Sequence, residues 1–455
     1  MTSDTIIEKQ KKQRKLLLTA PQIILFGFAF FIVLGAVLLN LPVASASGES
    51  VGFLDALFTS TSAVCVTGLV VFDTAGTFSL FGELVIMILI QIGGLGFMTF
   101  GVLFAVLIGK RIGLKERLLL QQSTGAISFQ GVVRLSIGIF LTALIIEVIG
   151  AALLAVRWSQ DMDWMRAIYF GVFHSISSFN NAGFGLWSDS LSRYVGDPLV
   201  NIVIVALFVV GGIGFTVILD IYNKRRWKNL TLHTRIVLIM SLILSAAGFL
   251  FIYCIELFNP ATFGSLSWSE QLWAGFFQGL VPRTAGFNTL DIAAMMTASQ
   301  FFMILLMFVG ASSGSTGGGI KTNTFAILML TVLMIIRGKE DLHLLRRRIA
   351  HEIILRALAV IIISMGVVLT STLLLSITEH TLQKDFLELL FEATSAFATV
   401  GMSMGLTPEL SPAGRVIIIA TMFIGRLGPL TLAFALTRNT KAVKYRYPEE
   451  KVLIG

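Results

Sequence analysis

The sequence predicts an all-α polytopic membrane protein: four pseudo-repeats of outer helix, re-entrant pore helix with a filter turn, and inner helix, arranged around one central pore. Three observations carry that expectation. The 455 residues are 55% hydrophobic and only 13% charged, with a mean hydropathy of +0.86, where an average soluble domain carries ~25% charged residues. Eight apolar runs are long enough to cross a bilayer core of ~30 Å: 21–42, 81–109, 132–156, 198–222, 234–258, 298–336, 352–378 and 412–437. Between them lie four half-length apolar stretches, Phe53 to Val64, Trp164 to Phe179, Trp268 to Val281 and Asp385 to Phe397, too short to span.

Those four stretches align without a gap. A Phe stands ten residues before a Gly in each: Phe58 and Gly68, Phe173 and Gly183, Phe276 and Gly286, Phe391 and Gly401. With 42 glycines in the chain one such match means little; four in register mark a fourfold internal repeat. The units follow as a segment 1–20 before the first span, repeat one at 21–109, repeat two at 110–222, repeat three at 223–336, repeat four at 337–437, and a tail at 438–455. The first apolar run follows a Lys-rich start without an A-x-A cleavage pattern, so it is read as a retained helix. Eight spans place both termini on one side. That side collects 26 of the 34 Lys and Arg, so the termini are expected in the cytoplasm of a multi-pass cell-membrane protein surrounded by lipid.

The inner helices carry a second pattern. Gly93-Gly94-Leu95-Gly96 and Gly211-Gly212-Ile213-Gly214 correspond in sequence to Gly318-Gly319-Ile320-Lys321 and Gly425-Arg426-Leu427-Gly428. Two units thus carry a cation where the others carry glycine. The third unit is longer and holds a small-residue run: Gly310, Ala311, Ser312, Ser313, Gly314, Ser315, Thr316, Gly317, Gly318 and Gly319. A helix over 301–309 would rise only ~14 Å and one over 325–336 ~18 Å, so the run is expected to lie in the membrane as a flexible break rather than outside it as a linker.

A half helix followed by an extended return through Gly puts non-helical backbone at membrane depth, which survives only where it lines a wet cavity or is buried in protein. Four copies around an axis turn carbonyl oxygens inward, and a carbonyl ring can replace the hydration shell of a monovalent cation. The expected ion-binding residues are Val66, Thr67 and Gly68; Asn181, Ala182 and Gly183; Thr284, Ala285 and Gly286; Thr399, Val400 and Gly401. The expected gate is the run 310–319 together with Arg426, a charge inside a span that must face water or a partner. Lys321 is left open between a similar role and snorkelling to the surface. Glu147 is read as a packing partner, with coupled secondary transport as the alternative.

Several classes are excluded. The basic stretches carry no interleaved aromatics and each follows an apolar span, so they read as topology signals and not as nucleic-acid sites. The histidines His174, His233, His343, His351 and His380 are scattered, the two cysteines form no framework, and no reactive cluster indicates an enzyme. No strand precedes a glycine-rich run, so no nucleotide-binding domain is expected within the chain.

At CVTGL, NNAGF, RTAGF and ATVGM, with the 310–319 run and Arg426, the chain resembles the Trk/Ktr/HKT superfamily of potassium transporters, and its Ktr-type membrane subunit in particular, over almost all 455 residues. The resemblance implies potassium in a filter of one glycine per repeat, an intramembrane gating loop, a pore-facing Arg, and a homodimer with one pore per protomer. It also implies a cytosolic ring of RCK-type nucleotide-binding regulatory subunits; nucleotide would act only through that separate chain, and no covalently bound cofactor is expected. Segments such as Arg346-Arg347-Arg348 would face such a partner. The start of the first span by residue 21 favours the Ktr over the Trk subtype. Only the second unit has a further glycine two residues past the first, Gly185. Fewer stacked carbonyl rings than in tetrameric potassium channels are therefore expected, which leaves sodium open as co-substrate, activator or, in a Trk-type relative, permeant ion.

Overall fold

A computed structural model describes residues 19–96, 99–100, 106, 132–338, 343–344 and 347–436. The expectations for 1–18, 110–131, Arg346 and 438–455 lie outside the described residues. Each outer helix is continuous and apolar along its length: Ala20–Leu39, Val132–Trp158, Leu232–Glu256 and His351–Thr378. Exposed Leu, Ile, Val and Phe cover their outward faces, the surface a lipid-facing helix presents where a soluble one would be polar.

The half-length stretches form the helices Phe53–Cys65, Trp164–Phe179, Trp268–Leu280 and Phe386–Ala398. The starts of the second and third are set by side chains that satisfy free backbone donors. Asp163 accepts from Met165 N–H, and Ser267 with Glu270 forms a reciprocal capping box. The four alignment phenylalanines diverge slightly in burial: Phe58, Phe173 and Phe391 are fully enclosed and Phe276 packs at the edge of the core.

The first, second and fourth inner spans differ from the sequence expectation of unbroken helices. Leu80–Leu95 stops at Gly96, Pro198–Ile213 at Gly214 and Pro412–Leu427 at Gly428, and these glycines have φ of +80°, +99° and +81°. At Gly214 the following helix Phe215–Lys224 turns away by 92°. A positive φ ends the hydrogen-bond ladder where only glycine is at ease. In the third unit the inner helix is split into Thr297–Phe308 and Thr322–Ile336, with the small-residue run between them.

Inner helices Leu80–Leu95, Pro198–Ile213, Thr297–Phe308 and Pro412–Leu427 each pack on the half helix of the following unit, the fourth on the first, so the units close into a ring. Arg415 at the start of the last inner helix pairs with Asp55 in the first turn of the first half helix and fastens the closure. Apart from a two-residue hairpin, His343–Leu344 with Arg347–Arg348, all regular structure among the described residues is helical.

Candidate functional site: a glycine ring and the loop beneath it

The chain leaves each half helix with one residue of positive φ, one of ordinary φ and then the repeat glycine: Val66 at 59°, Asn181 at 60°, Thr284 at 94° and Thr399 at 51°, followed by Gly68, Gly183, Gly286 and Gly401 at 92°, 70°, 75° and 92°. Left-handed angles at Val and Thr are strained and persist only where surroundings enforce them. Alternation of the sign of φ turns successive carbonyls to one side. The amides are occupied: Thr67 N–H bonds Ser62 O at 2.8 Å, Ala182 N–H bonds Ser177 O at 2.7 Å, Ala285 N–H bonds Val281 O at 3.0 Å and Val400 N–H bonds Ser395 O at 2.9 Å. Ser62 and Ser395 hydroxyls accept from Gly68 and Gly401 N–H at 3.0 and 3.1 Å.

The four glycines meet. A Cβ built on Gly183 would stand 2.9 Å from Gly286 Cα, one on Gly401 2.9 Å from Gly68 Cα, and one on Gly68 3.1 Å from Gly183 Cα, while one on Gly286 would collide with Val400 O. Gly68, Gly183, Gly286 and Gly401 therefore ring a common axis in that order, with no room for side chains. The half helices end at the ring with their carbonyl ends, where the partial negative charge of the helix dipole favours a cation. Above the ring opens a cavity of about 560 Å³ bordered by Asp73 and Asp291. Beside it the Arg193 guanidinium, 2.7 Å from Asp189, holds that carboxyl below its ordinary value, so Asp189 stays ionised at neutral pH.

On the far side of the ring lies the run 310–319. It is docked on the broken second inner helix: Ser312 N–H bonds Gly212 O at 3.0 Å, Thr316 N–H bonds Gly211 O at 3.3 Å, and Gly314 O accepts from Phe215 N–H at 2.9 Å. The break at Gly214 frees backbone groups that the loop satisfies, which makes non-helical chain tolerable at this depth. Arg426 donates to Thr316 O and to Gly93 O, tying the loop to the first inner helix from the fourth. Lys321 turns back into the loop, its Nζ 2.7 Å from Gly317 O, and does not snorkel away.

The repeat in the inner helices needs one correction. Gly93, Gly211 and Gly425 each lie against the last turn of their own unit's half helix, at Val64, Phe179 and Phe397, whereas Gly318 lies against Thr399 of the fourth unit. The matching letters at 318–321 are therefore not in the matching place, because the inserted run carries them past the third half helix.

Glu147 on the second outer helix accepts from Gln91 at 2.9 Å and Asn180 at 3.1 Å, joining units one and two at the back of the ring. Sequence reading missed other groups. Fully buried Glu392 accepts from Ser403 at 2.7 Å and from Thr407; His174, at the same register of unit two, accepts Leu186 N–H at 3.2 Å. Both brace the chain just past a repeat glycine, and their shared position nine residues before Gly401 and Gly183 was the available signal. Arg283, three residues before Gly286, points away from the axis to Ser241 and Ser245 of its outer helix.

The family model described as "TrkH: Cation transport protein" matches residues 11–444. The chain is 46% identical over 449 residues to Ktr system potassium uptake protein B of Bacillus subtilis, covering 99% of this chain and 100% of the relative. It is 39% identical over 454 residues, 99% and 100% of the two chains, to the potassium/sodium uptake protein NtpJ of Enterococcus hirae. The crystal structure of the potassium transporter TrkH from Vibrio parahaemolyticus superimposes with a TM-score of 0.72 at 18% identity, over 93% of this chain and 86% of that one, a likeness of fold.

Proposed function

We propose, from the premise that the chain belongs to the TrkH family of cation transport proteins, that it is the channel-like translocating subunit of a Ktr-type potassium uptake system. It is a multi-pass membrane transporter and not an enzyme. The observation that carries the reading is the closed ring of Gly68, Gly183, Gly286 and Gly401 at the carbonyl ends of four half helices. A cation shed of its water is held there by backbone oxygens alone, with fixed negative charge at the cavity above. Potassium is the cargo, as it is for the relatives named for its uptake. The relative named for both potassium and sodium supports a role for sodium.

The run 310–319 and Arg426 are the gate, because they lie across the way from the ring to the other side of the membrane and are held by hydrogen bonds that can be exchanged. The protein works as a homodimer on a cytosolic ring of RCK-type nucleotide-binding subunits, with both termini cytoplasmic and no cofactor of its own. The excess of Lys and Arg on the terminal side supports this orientation. The test is uptake by a potassium-uptake-deficient strain at low potassium, with the chain alone and with a separately encoded nucleotide-binding protein. Growth only with both supports the whole reading; no growth under any condition, with protein present in the membrane, removes it.

A further inference from the structure

After Gly214 the helix Phe215–Lys224 runs at 92° to the span it continues. Asp220 holds it there, accepting from Thr231 N–H at 2.9 Å, from Thr231 Oγ1 at 3.0 Å and from Thr234 Oγ1 at 2.7 Å. Thr231 caps Leu232–Glu256, whose 25 residues rise ~37 Å and cross the whole ~30 Å core. Asp220 therefore fixes the bent helix where that span meets the membrane surface, lying along it. Phe215 and Val217 are buried, while every residue from Ile221 to Asn229 is exposed. That stretch holds Lys224, Arg225, Arg226 and Lys228 but no carboxylate, and its aromatics Tyr222 and Trp227 are 69% and 51% exposed. Lys224 pairs with Asp220 at 2.8 Å; Arg225, Arg226 and Lys228 have no carboxylate partner among the described residues. Arg225 takes a φ of +53°, uncommon for a residue with a side chain, and Arg226 N–H bonds Lys224 O at 2.6 Å. In this tight turn the Arg225 guanidinium stands over the Tyr222 ring, 5.9 Å from its centroid. A topology signal needs only cations on the correct side; it needs neither a helix along the surface nor exposed rings beside them.

We propose that Arg225, Arg226 and Lys228, with Tyr222 and Trp227, bind the phosphodiester headgroups of anionic lipids in the inner leaflet, and that an occupied site steadies the docked loop 310–319. The proposal rests on the orientation given above for the leaflet and on the gate reading for its effect on flux. Guanidinium forks match phosphate oxygens, while Tyr and Trp rings settle at headgroup level, half apolar and half wet. A free phosphate in water would gain nothing from exposed rings; a lipid surface covers them. The route to the loop is short. Phe215, the first residue of the bent helix, donates its N–H to Gly314 O at 2.9 Å, and a Cβ on Gly214 would stand 2.7 Å from Ser313 O. A helix held to the surface by headgroups keeps this bond in place and slows release of the loop.

The experiment takes the full-length chain, purified in detergent without a regulator, and reads the concentration of short-chain phosphatidylglycerol that half-maximally raises its melting temperature, against short-chain phosphatidylcholine and inorganic phosphate. Combining Arg225→Gln, Arg226→Gln and Lys228→Gln is expected to raise that concentration on the order of a hundredfold, at about fivefold per cation. A control removes as many exposed cations near the ends of other spans, Arg134→Gln, Arg337→Gln and Arg356→Gln, and is expected to keep the parent's response. Equal loss in both triple variants, or equal stabilisation by phosphatidylcholine, overturns the site. Equal stabilisation by inorganic phosphate overturns the lipid as its occupant, as does loss of binding to the nucleotide-binding protein with the phosphatidylglycerol response unchanged. Uptake in liposomes tests the effect on the loop: the parent is expected to be slower with phosphatidylglycerol present than in phosphatidylcholine alone, and the first triple variant equal in both. A parent indifferent to the lipid overturns the coupling. The melting measurement needs no transport, so failure of the potassium reading leaves its outcome unchanged.

Discussion

Single residues decide whether the ring can form. At Gly401 a side chain would have to coexist with Gly68 Cα at 2.9 Å while the backbone keeps a φ of 92°. Gly401→Ser is therefore expected to lower the potassium over sodium uptake ratio at least tenfold, read from paired fluxes, with protein still in the membrane. Glu392 acts one step back. Its carboxylate holds Ser403 and Thr407 behind the return from Gly401, so Glu392→Ala should cut selectivity and melting temperature together, while Glu392→Gln, which keeps an acceptor, should retain more of both. Equal losses in the two variants would show that the contact is packing alone. Glu147 is a different case: its oxygens are bound by Gln91 and Asn180, away from the axis. Glu147→Gln should leave potassium uptake within about twofold of the parent, and its abolition would favour coupled transport.

At the scale of elements, the third inner helix is the exception that the other three define. Gly96, Gly214 and Gly428 break their helices with one residue of positive φ, but the third unit uses the whole stretch from Val309 to Lys321. Its stability comes from exchangeable bonds, the carbonyls of Gly211 and Gly212 and the guanidinium of Arg426. Arg426→Ala, or deletion within 312–318, is expected to raise flux per folded protein several-fold and weaken dependence on a regulator, since a charge-assisted hydrogen bond contributes roughly 1.5–3 kcal/mol. Unchanged or lower normalised flux in both variants would remove the gate. The break was legible as ten small residues where a span should be. Where it docks was not, because nothing in the local sequence ties Thr316 to Gly211 or Arg426.

For the whole molecule, fourfold pseudosymmetry must close on itself, and Arg415 with Asp55 joins the last unit to the first. Both side chains are largely enclosed, at 19% and 15% exposure. Removing one partner strands the other, a loss of about 3–5 kcal/mol for a buried pair. Asp55→Ala is thus expected to lower the melting temperature and the yield of assembled protein, and the double change with Arg415→Leu to recover part of it. If both single variants melt with the parent, the closure is held by helix packing alone. At this scale the sequence was informative in its statistics and silent in its pairings. The Phe-to-Gly spacing gave four units, while Asp55 and Arg415, 360 positions apart, carry no pattern that would match them.

What the sequence determined by itself was everything governed by local periodicity and by the bilayer: helices apolar enough to cross, half helices too short to do so, and glycines where the chain must turn. Those follow from the cost of unpaired backbone in lipid, which each segment meets largely within itself. The tertiary structure alone decided which carbonyl meets which glycine, why Gly318 lies against the fourth unit and not the third, and which of the intramembrane charges reaches the axis. Those depend on contacts between units more than a hundred residues apart, where register along the chain places no constraint until the ring has closed.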